Sequence, residues 1–201
     1  MATLYKLTDE NGRTRNATQW GQGVTHFVEG PADQPLCSDG WIHAYEHPLL
    51  AVLLNPIHGN FENPRLWEAK GVVGKRDGQL KCGCRALTTL REIPLPTVTL
   101  AQRRHFAILC VKQVCDEEAW NRWADAWLNG SDRTKKTAAK AARAAAKAAR
   151  AAAFAAWAAE AAAEAEAAAK AARVAAAVAV VVAKELDLIA LAEQAIKEER
   201  Q

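Results

Sequence analysis

The sequence predicts an α+β chain: a small β-rich N-terminal domain, then helices, then a long Ala-rich helix or helical hairpin. Three observations predict it. All 7 prolines lie at or before Pro96, all 5 cysteines at or before Cys115, and the last of the 11 glycines is Gly130. Half of the 201 residues count as hydrophobic, but 45 of those are alanine. Of the alanines, 33 fall in the last 71 residues. The large core-forming side chains therefore belong to the first 130 positions. This divides the chain into a β-rich head (1–97), a two-helix connector (98–130) and an Ala-rich heptad-repeat region (131–201).

In the head, Leu4 to Thr8 alternates as a short strand and runs into the turn former Asn11-Gly12. Val24 to Val28 is a second strand, closed by Gly30-Pro31, and Trp41 to Tyr45 a third. The run from His47 to Leu54 has Pro48 in its first turn and stops before Asn55-Pro56, so it reads as a short buried helix. Leu66 to Val73 and Leu80 to Ile93 are the last strands, joined through Asp77-Gly78, the strongest hairpin signal in the chain. Pro94 and Pro96 punctuate the exit.

In the connector, Thr97 or Thr99 caps a helix whose apolar positions Phe106, Leu109, Cys110 and Val114 recur at threes and fours. Asp116-Glu117-Glu118 places acid at the positive end of a second helix, which ends at Asn129-Gly130. Trp120, Trp123 and Trp127 share one face of it. So much aromatic area reads as core.

The last segment has neither Gly nor Pro, and Ser131-Asp132 supplies a helix cap. An unbroken helix from 132 to 198 would be about 100 Å long at 1.5 Å per residue, with a bend expected near 184–187, where alanine gives way to leucine and isoleucine. A seven-residue frame puts Lys140, Arg143, Lys147, Arg150, Phe154 and Trp157 on one stripe, with bare alanine around the rest. This inverts the usual coiled coil: the alanine surfaces are what packs, and the long side chains face water or a partner.

Seven bases against one acid over 131–153, and eight acids against five bases over 160–201, oppose the helix dipole in a single helix. The segment is expected to fold back as a hairpin, to pack on the first 130 residues or to associate with copies of itself, and antiparallel pairing within the chain or between two copies relieves the charge conflict. A homo-oligomer through residues 131–201 is therefore expected.

Charge excludes some classes. Residues 1–130 carry 14 bases and 14 acids, and the formal net charge of +3 comes wholly from the tail, so nucleic acid is not an expected partner. The N-terminal residues lack a basic stretch followed by an apolar one. The purest apolar run, Val174 to Ala183, is half the length of a membrane span, which takes about 20 residues. A soluble chain with reduced thiols in the cytosol is the expectation.

The densest polar cluster runs from Cys37 to His47. Alternation from Trp41 puts Trp41, His43 and Tyr45 on one strand face, so His43 and Tyr45 either line a shared pocket or are satisfied core polars. His26, His58 and Arg65 are candidates to join them in binding a ligand. Cys37, His43, His47, Cys82 and Cys84 are of metal-ligating type, but Cys-x-Cys is tighter than the zinc-knuckle spacing, and neither a metal nor a cofactor is expected. Glycine-rich phosphate loops and His-Glu-x-x-His are missing from the sequence.

Trp20-Gly-Gln-Gly-Val-Thr-His26, the whole run from Leu36 to His58, Pro64-Arg-Leu-Trp-Glu68 and Leu90-Arg-Glu-Ile-Pro-Leu-Pro96 resemble a family of tailed-phage and prophage proteins. Its members pair such an N-terminal domain with an Ala-rich repetitive tail. The resemblance implies a phage accessory protein in the host cytoplasm, serving host takeover or counter-defence by binding a macromolecule, such as a host protein, or a small signalling molecule such as a nucleotide. It implies no catalytic residues.

A second likeness concerns the fold. Leu4-Tyr-Lys-Leu-Thr8, then Asp39-Gly-Trp-Ile-His43 before a helix, then Arg65-Leu-Trp-Glu68, is similar in order to small ADP-ribosyltransferase-like domains with an Asp-Gly-Phe-Ile-His signature. Trp41 replaces the Phe, and Ala44-Tyr45 stands where those domains have small hydroxyl residues. This likeness implies, as the alternative, an NAD-dependent enzyme in which His43 and Tyr45 hold the nicotinamide ribose and Glu68 or Glu92 stabilises the developing cation. A virion structural component is the third reading.

Overall fold

A computed structural model describes residues 3–113, 115, 117–145 and 186–197. Among them the fold is mixed α+β, one antiparallel sheet with five helices. The chain divides into two units: Met1–Thr97 with Ala183–Ile189, and Val98–Val182 with Ala190–Gln201.

The first unit contains β1 (Thr3–Thr8), β2 (Thr25–Phe27), β3 (Ile42–Ala44), α1 (Pro48–His58), β4 (Arg65–Asp77) and β5 (Lys81–Ile93). β4 and β5, each 13 residues, form the hairpin that Asp77-Gly78 predicts. The Leu80 N–H donates to the Asp77 carbonyl (3.0 Å), and Gly78 takes a φ of +53°, which a side chain would disfavour. β1 lies antiparallel on the outer edge of β4, from Thr3 opposite Lys70 to Thr8 opposite Arg65. On the other side, β5 pairs with two short strands in tandem: β3 opposite Cys82 to Cys84, and β2 opposite Ala86 to Thr88.

Leu4, Trp20, Ile42, Ala44, Ala69, Cys82, Cys84 and Leu87 pack into one buried cluster. On the other face of β5, Gly83 is covered so closely that a Cβ there would meet Leu36 at 2.5 Å and Trp41 at 3.0 Å. Trp41 therefore lies flat on glycine backbone, which fixes the start of β3.

One helix boundary corrects the sequence expectation. α1 does not stop before Asn55-Pro56 but runs on to His58. Proline removes one N–H and its ring crowds the preceding turn, but Asn55 clasps the chain beyond the helix end: its side-chain amide donates to the Phe61 carbonyl (2.8 Å) and accepts from the Phe61 N–H (3.0 Å). At the other end, His47 caps the helix by accepting the Leu49 N–H on Nδ1 (3.3 Å).

The second unit contains α2 (Leu100–Lys112), α3 (Glu118–Leu128), α4 (Lys135–Ala145) and most of α5 (Leu188–Lys197). Thr99 and Gln102 close a capping box at the start of α2, and Glu117 caps α3. Phe106, Leu109 and Cys110 are buried in α2; Val114 lies outside the described residues. Trp120, Trp123 and Trp127 are buried together on α3.

α4 begins three residues beyond the expected cap. Asp132 accepts from the Thr134 N–H (3.0 Å) and the Thr137 hydroxyl, and the Thr134 hydroxyl accepts from the Thr137 N–H, so the turn is taken by Thr134. Within α4, Ala138 and Ala141 are buried while Lys140 is exposed. The Arg143 side chain and all of Lys147, Arg150, Phe154 and Trp157 lie outside the described residues. Leu186 and Asp187 are not helical, so a helix continuous from 132 to 198 does not form.

Candidate functional site

The first unit holds a cleft of about 600 Å³. Five sequence candidates line it together: His26, Trp41, His43, Tyr45 and His58. Three local rules bring them there. Trp41, His43 and Tyr45 share a face by strand alternation, His26 sits on β2, and His58 ends the prolonged α1. Arg65, Glu68 and Glu92 are not among the lining residues. Arg65 lies over the Trp67 ring and is doubly hydrogen-bonded to Glu92, while Glu68 accepts two bonds from Arg91. Their charges satisfy one another across the β4–β5 ladder, and the Arg65 guanidinium holds the Glu92 carboxyl below its ordinary range.

The histidines have defined proton positions. His43 Nε2 contacts the Leu36 carbonyl, which can only accept, so Nε2 carries the hydrogen. Burial lowers the His43 pKa, so the ring is neutral at pH 7 and Nδ1 keeps a lone pair. Tyr45 stacks on His58 with centroids 5.8 Å apart, and its hydroxyl lies 3.0 Å from His58 Nδ1. Burial raises the phenol pKa and drives the His58 pKa down to about 3, so Tyr45 donates and His58 accepts. His26 Nε2 donates to the Gln19 carbonyl (2.7 Å), with its ring edge-on to Trp20 at 4.6 Å.

The cleft also contains residues that the sequence did not single out as its lining: Lys6, Arg15, Trp20, Cys37, Phe61 and Lys81. Lys6 carries the largest surprise. It is only 8% exposed, its Nζ donates to the His43 carbonyl (2.8 Å), and it stands 4.9 Å from the Trp20 ring centroid. Burial lowers its pKa from 10.5 to about 8. A signal was present in β1: alternation puts Lys6 on the same face as Leu4 and Thr8, both fully buried. At another point on the lining, Lys81 Nζ donates to Cys37 Sγ (2.9 Å). Asp39 is the one carboxylate among the lining residues, against Lys6, Arg15 and Lys81.

The metal-type residues are dispersed into other duties. His47 caps α1, Cys82 and Cys84 belong to the buried cluster, and Cys82 donates to the Ala44 carbonyl (3.4 Å). Compared with protein-family models, with curated proteins and with solved structures, the chain finds no match.

Proposed function

We propose that the first unit is a binding module whose cleft takes a small anionic molecule carrying a flat ring, of the nucleotide class. The observation that carries this reading is the lining itself. Trp20, Phe27, Trp41, Tyr45 and Phe61 line the cleft, Phe27 largely exposed and Trp20, Trp41 and Tyr45 buried in the wall, and Lys6, Arg15 and Lys81 outnumber the single acid Asp39. Cations beside aromatic walls suit a ligand that is flat at one end and charged at the other.

With the sequence resemblance, the protein is read as a phage accessory protein that works in the host cell by capturing such a signalling molecule. The ADP-ribosyltransferase-like alternative is less well supported. It needs a glutamate near His43 and Tyr45, and both candidates, Glu68 and Glu92, are engaged by arginines away from the cleft.

Isothermal titration with AMP, ADP, NAD and the uncharged nucleoside tests the binding reading. A phosphate-bearing member is expected to bind, and Arg15→Ala or Lys81→Ala to weaken it about tenfold each, the contribution of one charge-assisted hydrogen bond. Binding by no member, or equal binding of the uncharged nucleoside, overturns it.

The Ala-rich region is read as the oligomerising element on its heptad stripe and opposed charge blocks; Ala138 and Ala141 are already buried within the chain, while Lys140 is exposed. Light scattering of the full chain and of residues 1–130 checks this. The full chain is expected at a multiple of the monomer mass and the shorter one at the monomer mass. Two monomers contradict the reading.

A further inference from the structure

Lys6 is the one lysine among the described residues that is buried, and the structure gives its ammonium no carboxylate. Its amine meets the His43 carbonyl and the Trp20 ring. The titratable groups whose charges bear on it are His43 on β3 and the thiols of Cys82 and Cys84 on β5; the two thiols favour the charged amine, but none of the three is a carboxylate, and burial outweighs them. A desolvated amine on the wall of a cleft is the arrangement in which a lysine becomes a nucleophile.

We infer that Lys6 is a covalent capture site for an aldehyde or ketone that carries an anionic group. The neutral Nζ lone pair attacks the carbonyl carbon, and the carbonyl oxygen takes a proton to give the carbinolamine. Water then leaves with that oxygen as the nitrogen loses its proton, so one amine and one carbonyl become one imine and one water. The backbone carbonyl of His43, already bonded to Nζ at 2.8 Å, orients the amine. Arg15 and Lys81, on the same lining, receive the anionic group of the ligand, and the Trp20 ring shields the imine from water. A charged amine cannot attack, and the lowered pKa of about 8 leaves a usable neutral fraction near pH 7.5.

The inference rests on the cleft being a ligand site, and it adds the bond and the carbonyl. The full-length chain is incubated with one equivalent of pyridoxal 5′-phosphate, or of pyridoxal without its phosphate, then reduced with borohydride and mapped by peptide mass. The expected result is one reduced adduct, on Lys6, at least tenfold above that on any exposed lysine such as Lys70. Its yield should rise through about pH 8 and fall about tenfold without the phosphate. Lys6→Arg should remove it while the circular dichroism spectrum stays unchanged. Adducts spread over exposed lysines, with Lys6 unmodified in the unaltered chain, overturn the inference. Nucleotide binding by titration together with no Lys6 adduct overturns the inference alone and leaves the binding reading standing.

Discussion

Replacing Trp120 with alanine is expected to destabilise the helical unit by about 4 kcal/mol, within the range of about 3 to 5 found for large aromatic truncations. Trp120 is fully buried on α3 and meets Trp123 edge-to-face with centroids 5.6 Å apart. Truncation removes the transfer energy of the ring, opens a cavity that helix backbones cannot collapse to fill, and breaks the aromatic pair. Urea unfolding followed by circular dichroism reads the effect as a lower midpoint. A loss below about 1 kcal/mol would mean that the site repacks and that the tryptophan face is not the core of the unit.

Acid should weaken the first unit through its histidines. The folded pKa of His58 lies near 3 and its ordinary value is 6.5, so between these values the unfolded chain binds the proton and the folded one refuses it. Stability is therefore complete above pH 6.5 and is lost as the pH falls, by about 1.4 kcal/mol per unit, or about 3 kcal/mol by pH 4.5. His43 adds a loss of the same sign, since its pKa is also lowered by burial. Urea midpoints measured from pH 7.5 to 4.5 check this, with His58→Gln as the comparison. Glutamine can still accept from the Tyr45 hydroxyl but takes up no proton, so its curve should be flatter. Identical slopes for both proteins would show that His58 is not what acid attacks.

What the sequence reveals divides by range. The β4–β5 hairpin, the Thr99 cap and the tryptophan face are written in residues a few positions apart, where turn chemistry and periodicity act. Asn55-Pro56 misleads because the helix is continued by a side-chain clasp on Phe61, which local propensity does not encode. The same holds for the cleft. His43 and Tyr45 are legible as a pair because strand alternation aligns them, but His58 joins them only because α1 is longer than Pro56 advertises. Alternation in β1 sets Lys6 on the face of Leu4, but what covers its amine, the Trp20 ring and the His43 carbonyl, is visible only in the fold. Glu68 and Glu92 are drawn off by Arg91 and Arg65, partners that only the β4–β5 register makes visible.

The tandem pairing on β5 has a further consequence for the route by which the sheet assembles. β4 and β5 are neighbours in the chain and close their ladder over a four-residue turn, whereas β2 and β3 must each return across some 40 to 60 positions to reach the same strand. Loop closure makes the long hairpin the easiest first contact and the two short strands late arrivals. The walls of the cleft are thus laid down after its scaffold. In a mixed population of partly opened molecules, the cleft would be the first part to come undone and the hairpin the last.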